Sequence, residues 1–348
     1  MSRTERETRL RERLVAALED AGIGWGQVAD CRTIGGGTFS AVFGVRTVDG
    51  AALVVKLAPE GPVLRYERGI LGTEAWYLRT AGERTSVPVP TVLAASPRNA
   101  GVVGGHIVMT ECPGTPWEEL RKEADAGDLA VLREELGAHV ARVHALPAPG
   151  GFGYPALPFG PLRASWREAF LEMVDAALDD AARFDVRLPR SAEEIREVIA
   201  AESGSLDEVT VPRLVHWDLW DGNVLAERAP GTGRPRITAL IDAERALWGD
   251  PVMEFVSLGL FHDIGRDEAF WKGYRAQGGS VVLDAAARNR LALYRAYLYV
   301  VMWVEARPRE FGAGHLEWLR RDVYAPLGEM IGAWSRGEGP MEHLWPRG

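Results

Sequence analysis

Leu10, Leu14, Ala17 and Leu18 recur at the spacing of one helix face, so a short amphipathic helix over residues 4–21 opens the chain. From about residue 30 to 111 the period changes to short β-branched runs separated by glycines: AVFGV (41–45), ALVVKLA (52–58) and HIVMT (106–110). One helical segment, 64–81, lies among them and ends at Gly82, after which VPVP supplies a rigid extended connection. A small, mostly antiparallel sheet with one helix fits this texture. Past Pro113-Gly114 the pattern turns helical, with helices expected over 117–126, 128–146, 165–183, 191–202, 251–262, 267–277, 284–306 and 315–335. Two apolar runs, 213–227 and 236–244, interrupt them around the turn-rich RAPGTGRP and read as an inserted β-hairpin. A strand-rich first third, a Pro-Gly joint and a helical remainder imply two lobes, 1–112 and 113–348, facing across a cleft.

TIGGGTFSAVFGV (33–45) carries the first chemical signal. Glycine-rich turns let backbone N–H groups approach phosphates with no Cβ in the way. Here a strand, not a helix, follows the glycines, which excludes a Rossmann or Walker loop. The spacing Gly35-x-Gly37-x-x-Ser40-x-Val42 matches the flap over ATP phosphates in kinase-like folds, with Ser40 at the third glycine position. A plain β-turn stays open as the alternative. Gly35, Gly36, Gly37, Thr38 and Ser40 are the candidate phosphate contacts.

Lys56 stands 19 residues after Gly37 among Val54, Val55 and Leu57. Alternation alone permits it to face solvent. Yet only three of the 40 basic residues are lysines, and a compact ammonium is what a kinase places on this strand against the α/β-phosphates. Its partner carboxylate belongs on the following helix, where Glu67 and Glu74 share a face; Glu74 is the choice.

In VHWDLWDGNVL, His216, Asp218 and Asn223 stand as H-x-D-x-x-x-x-N. Phosphoryl transfer needs a carboxylate to accept the incoming hydroxyl's proton and a second group to help hold Mg²⁺. Nineteen residues after Asn223, Asp242 ends an apolar run, placed to coordinate metal ions on the nucleotide phosphates. His216 reads as a brace for the loop. Retention of Lys56, Asp218, Asn223 and Asp242 together argues against a non-catalytic nucleotide-binding regulator.

From about residue 30 to 260, through the glycine loop, VVK, VPVPTVL, LGAHVARVHALP (136–147), HWDLWDGN, IDAE and GDPVMEF (249–255), the chain resembles the aminoglycoside phosphotransferase (phosphotransferase enzyme) family, which includes choline and fructosamine kinases. The resemblance implies an α+β, bilobal protein-kinase-like fold, with a small antiparallel β-sheet lobe bearing one helix and a larger helical lobe carrying a catalytic β-hairpin. It makes Asp218 the catalytic base, Asn223 and Asp242 the Mg²⁺ ligands, and Lys56 with Glu74 the phosphate-positioning pair. Met109, Thr110 and Cys112 fall on the family's interlobe linker, where the Thr110 carbonyl and Cys112 N–H would meet the purine edge. Two departures stand out: Trp217 replaces a glycine common in the family, and the third loop glycine is missing. The implied activity is transfer of the γ-phosphoryl group of ATP or GTP to a hydroxyl of a small molecule, with an antibiotic preferred as acceptor and a metabolite, as in fructosamine kinases, as the rival.

Composition narrows the partners. The 348 residues carry net charge −9, without the broad basic footprint that nucleic acid attracts. Two cysteines, Cys31 and Cys112, cannot make a disulfide framework. The charged start lacks a signal-peptide core, and the most apolar run, 296–304, is far shorter than the roughly 20 residues of a membrane span. A cytoplasmic protein is expected. The aromatic helix 294–306 reads as core, with Glu305 and Trp303 as candidates for lining a substrate groove, and His139 and His144 read as core packing. No zinc-ligand spacing and no G-x-S-x-G elbow is present.

Overall fold

Five antiparallel strands in the order β1-β2-β3-β5-β4 form the first sheet: β1 (Val28–Ile34), β2 (Ala41–Thr47), β3 (Ala52–Leu57), β4 (Val92–Ser96) and β5 (His106–Thr110). The computed structural model describes residues 3–35, 39–96, 105–155, 160–260 and 263–338; Gly36, Gly37 and Thr38 lie outside the described residues. The period-2 alternation of side chains divides the sheet's two faces. Leu53, Val55, Leu57 and Val108 pack under helix α1 (Arg3–Asp20) with its Leu14, Ala17 and Leu18. Ile107 and Met109 face the other way, toward helix α2 (Ile70–Arg84). Lys56 pairs with Ile107 across the β3–β5 ladder and so shares that second face. It does not point to solvent.

Helix α2 begins later than the periodicity predicts. Residues 64–69 form turns instead, and Arg65 N donates to Asp180 in the helical region. Beyond Thr110 come β6 (Thr115–Pro116), α3 (Trp117–Leu120), α4 (Ala126–His144), α5 (Trp166–Arg183) and α6 (Ala192–Glu202). Gly114, at φ +97°, runs so close to the Ala226 carbonyl that a Cβ there would meet its oxygen at 2.5 Å. Side chains cap the longer helices where the sequence supplies Ser or Asp: Asp125 accepts from Asp128 N, Ser165 from Glu168 N and Ser191 from Glu194 N.

The expected hairpin is real but narrower. β8 (Val224–Arg228) and β9 (Pro235–Leu240) pair antiparallel, with β6 beside β8. β7 (Arg213–Val215) instead pairs with β10 (Leu247–Gly249), so the H-x-D-x-x-x-x-N loop spans two small sheets. The chain ends in α7 (Glu254–Leu258), α8 (Glu268–Ala276), α9 (Ala285–Glu305), α10 (Ala313–Leu319) and α11 (Ala325–Ser335), the last two joined by a π turn at Arg320–Tyr324 rather than one continuous helix. The larger buried core runs from α2 through Trp117, Phe170 and Phe255 to Tyr297 and Ile331. The architecture is thus an antiparallel sheet with helices on both faces joined to a mostly helical region carrying a β-hairpin, the α+β kinase-like arrangement.

Candidate active site

Lys56 Nζ donates to Glu74 Oε1 at 2.7 Å and to Asp242 Oδ1 at 2.6 Å. Three strongly separated stretches therefore meet at one ammonium. Glu74 comes from the buried face of α2, with its side chain fully enclosed. Asp242 follows β9 in the left-handed region, φ 63°, which an aspartate tolerates better than most residues. Burial opposes the charge on Lys56, but Asp242, Glu74 and Glu244 outweigh it and hold the ammonium protonated well above the ordinary lysine range. Burial pushes the Glu74 carboxyl up, and Lys56 offsets only part of that. For Asp242 burial works in the same direction, but the Lys56 ammonium overrides it and keeps this carboxylate below its usual range.

The second half of the site lies one backbone step away, because Ile241 N donates to Asn223 O at 3.0 Å. Asn223 Nδ2 donates to the Asp218 carbonyl at 2.8 Å and to Asp218 Oδ2 at 3.3 Å. This leaves Asn223 Oδ1 as the acceptor free to face a cation. Burial raises the Asp218 carboxyl above the ordinary aspartate range; Arg245 opposes the rise and Asp242 adds to it. His216 Nε2 meets the Ile241 carbonyl at 3.0 Å. Its ring thus ties the Asp218 loop to the segment carrying Asp242.

Glu254, overlooked in the sequence although it lies in GDPVMEF, holds the same loop from below. Its Oε2 accepts His216 N at 2.8 Å and its Oε1 accepts Trp217 N at 3.0 Å. Ser257 Oγ adds a third clamp, accepting Leu219 N at 3.0 Å. Trp217 explains the missing glycine: its φ is +66°, a conformation glycine adopts without cost. The chain keeps the turn and fills the space behind it with an indole only 1% exposed.

Oxygen atoms of Glu74, Asp242 and Glu244 lie within 4.8 Å of one another, and Glu74 Oε2 is enclosed without a hydrogen-bond partner. A set of carboxylate oxygens suits a hard divalent cation. Burial, with Asp242 adding, pushes the Glu244 carboxyl far up. A cation would relieve that. Gly35 follows β1 and Ser40 precedes β2, with Ser40 Oγ also enclosed and unpartnered. Met109 is buried at the end of β5, Thr110 Oγ1 accepts Thr91 N at 2.9 Å, and Cys112 is half-buried in the segment that follows.

On the opposite side of Asp218 the structure gathers residues that spacing did not reveal. Arg245 pairs with Glu305 Oε2 at 3.0 Å, Tyr66 donates to the same oxygen at 3.1 Å, and the Arg245 guanidinium lies 5.7 Å over the Tyr66 ring. Glu305 thus reaches the site. Trp303 Nε1 donates to the Arg187 carbonyl at 2.9 Å. Both histidines read as packing are buried, and His144 also lies 3.7 Å from Glu254.

Comparison with known proteins shows the fold and the family. No curated sequence matches the chain. A putative fructosamine-3-kinase from Thermobifida fusca superposes with TM-score 0.64 at 21% identity, covering 92% of this chain and 97% of that one. An aminoglycoside phosphotransferase, APH(4)-Ia, solved with AMP-PNP and hygromycin B, gives 0.56 at 19% identity over 90% and 95%. A macrolide 2′-phosphotransferase type I gives 0.59 at 17% over 90% and 96%. The sequence model of the phosphotransferase enzyme family matches residues 30–294, most of the chain, and it is to this family of small-molecule phosphotransferases that the protein belongs.

Proposed function

We propose that the protein moves the γ-phosphoryl group of ATP or GTP, bound with Mg²⁺, onto a hydroxyl of an antibiotic, and so inactivates it. The observation that carries the reading is the single ammonium of Lys56 held between Glu74 and Asp242, beside the Asp218–Asn223 pair. The AMP-PNP and hygromycin B named with the aminoglycoside phosphotransferase structure support a nucleoside triphosphate donor and an antibiotic acceptor. The net charge of −9 favours a cationic or neutral acceptor. The HWDLW run at 216–220 favours a second reading, a metabolite acceptor of the fructosamine type.

Asn223 and Asp242 would hold Mg²⁺, which when bound neutralises charge on the phosphates. The chain's own groups do the rest. Lys56, kept charged by its carboxylates, draws the donor phosphates into register, while Glu74 fixes where the ammonium points. Asp218 Oδ orients the acceptor hydroxyl and takes its proton as the new O–P bond forms and the donor's β–γ P–O bond breaks, releasing ADP or GDP. Asn223 and the His216 brace hold that carboxylate in place. Gly35, Gly36, Gly37, Thr38 and Ser40 contact the phosphates, and Met109, the Thr110 carbonyl and the Cys112 N–H meet the base. The division of labour falls at 112/113, with the donor seated by 1–112 and the acceptor by 113–348. Positioning and electrostatics supply the rate, as little covalent chemistry is asked of the protein. The cytoplasm is the proposed setting, and no helix among the described residues is long and apolar enough to cross a membrane.

A panel of hydroxyl-bearing antibiotics and sugar-amine metabolites, incubated with γ-labelled ATP and GTP, tests the reading. Label appearing on an antibiotic supports it; label confined to a metabolite overturns the acceptor, and no transfer to any acceptor overturns the activity.

A further inference from the structure

Glu67 and Glu74 are spaced to share one helix face, yet the structure gives them different partners. Glu74 meets Lys56, whereas Glu67, just ahead of α2, meets the chain beyond α9. Glu67 Oε1 accepts from Arg309 Nη2 at 2.5 Å and its Oε2 from Leu64 N at 2.6 Å, with the side chain 1% exposed. Arg309 Nη2 also lies 3.1 Å from Glu305 Oε2, the oxygen that accepts from Tyr66. In the same turn Arg65 N donates to Asp180, and Arg183 donates to the Val63 carbonyl. Residues 63–67 are therefore bonded to α5 through Asp180 and Arg183, and to the end of α9 and its continuation through Glu305 and Arg309.

This attachment bears on α2. The helix opens at Gly69, φ 80°, and no side chain caps its first turn, so the usual local device for fixing a helix start is missing. Instead, Ile70 N donates to the Glu67 carbonyl at 3.2 Å, which ties the first helical residue to the bonded turn. One turn further on, Glu74 meets Lys56 through Oε1 while its Oε2 has no hydrogen-bond partner, so its hold on the ammonium depends on where the helix lies. Desolvation offsets much of what a buried ion pair contributes to stability, and its attested use is to select one arrangement over others. The assigned chemistry leaves Glu67 without a task of its own. We propose that Glu67 is a positioning residue: joined to Arg309, it sets the start of α2 against the helical region and so keeps Glu74 on Lys56. The proposal rests on reading Lys56 and Glu74 as the pair that aligns the donor phosphates.

The test measures binding of Mg·AMP-PNP to the full chain by titration calorimetry, with a thermal melt for each variant. Glu67→Gln keeps the shape but removes the charge that holds Arg309, and is expected to weaken binding about tenfold, the scale of coupling carried through packed elements. Glu74→Gln is expected to weaken it at least as much. Two independent effects on affinity would multiply, since the residues share no partner. A residue that acts through Glu74 behaves otherwise, so Glu67→Gln is expected to cost no further affinity in the Glu74→Gln background. Wild-type affinity in a folded Glu67→Gln chain, or losses that multiply in the double variant, overturns the proposal. Should Glu67→Gln fail to fold, Arg309→Lys decides, because it keeps the cation but not the planar fork. A loss of affinity that disappears in the Glu74→Gln background supports the positioning role; unchanged affinity, or a loss that persists there, overturns it. A wild-type chain that does not bind Mg·AMP-PNP, or a Glu74→Gln chain that binds it undiminished, removes the reading of the Lys56–Glu74 pair and this proposal with it, whereas binding that Glu67→Gln alone leaves intact removes only the proposal.

Discussion

The ring of Tyr297 lies against the indole of Trp217, with centroids 6.2 Å apart and planes 15° from parallel. Trp217 holds φ +66° immediately before Asp218, and Tyr297 comes from the middle of α9. The contact lets a bulky residue occupy a backbone conformation suited to glycine, and it ties the Asp218 loop to the long C-terminal helix.

Trp217→Gly separates the two effects. Relief of the left-handed backbone returns about 1–2 kcal/mol, while emptying the indole's site costs about 3–5 kcal/mol, so a net loss of roughly 2–3 kcal/mol is expected. Urea denaturation measures it; a variant as stable as the wild type would show that the indole's packing is worth no more than the backbone relief.

Glu254→Gln keeps the size of the brace but replaces one accepting oxygen with a donating NH₂. Only one of the two N–H groups, of His216 or Trp217, then has its acceptor. The loop loosens at Asp218 and not at the nucleotide, so kcat is expected to fall about 10- to 100-fold, as misplaced catalytic groups do, with KM for the nucleotide unchanged. Steady-state kinetics with both substrates varied would reveal the opposite split if the brace served the donor side.

Lys56→Ala leaves Glu74 buried beside Asp242 with no counter-charge. Breaking such a pair costs about 3–5 kcal/mol, and the same substitution removes the donor's ammonium contact. Loss of both thermal stability and Mg·AMP-PNP affinity is expected. Glu74→Gln, which keeps a neutral group of the same size beside Lys56, is expected to cost less stability than Lys56→Ala; equal losses would contradict the assigned electrostatics.

Asp218→Asn retains shape and removes the base. Turnover is expected to drop about 10²–10⁴-fold with nucleotide binding retained. Because burial raises the Asp218 carboxyl in the folded protein, its ionised form is disfavoured there. Two consequences carry a sign. The wild-type rate should fade, as pH drops, at a higher pH than an ordinary aspartate would give. The neutral variant should melt no lower than the wild type at pH 7, since it removes a charge the fold disfavours. A pH–rate profile and a thermal melt check them, and undiminished turnover would end the role assigned to Asp218.

Much of this site is legible along the chain because its chemistry comes in short, rigidly spaced pieces. Asp218 and Asn223 are five residues apart inside one loop, and Lys56 follows the glycine-rich stretch two strands on. Spacing of this kind survives whatever surrounds it. Arg245, Glu305, Arg309 and Tyr66 form no such piece: Glu305 and Tyr66 are 239 residues apart and meet only through the packing of α9 on the turn before α2. That same packing holds residues 64–69 as turns, so apolar spacing there overstates the helix. The edge strand β1 escapes notice because its exposed residues, VADCRTI, carry little alternation, and β7 finds its partner in Leu247–Gly249, a contact set by the chain's return and not by the nearby hairpin turn.

The sheet's two faces belong to different hydrophobic interiors. Leu57 is packed with α1 in the smaller one, and α2, bearing Glu74, in the larger. Lys56, one residue before Leu57, turns to the opposite face, so its bridge to Glu74 lies wholly on the α2 side of the sheet. Cutting that bridge would therefore part α2 from β3 on one side and leave the α1 packing on the other untouched.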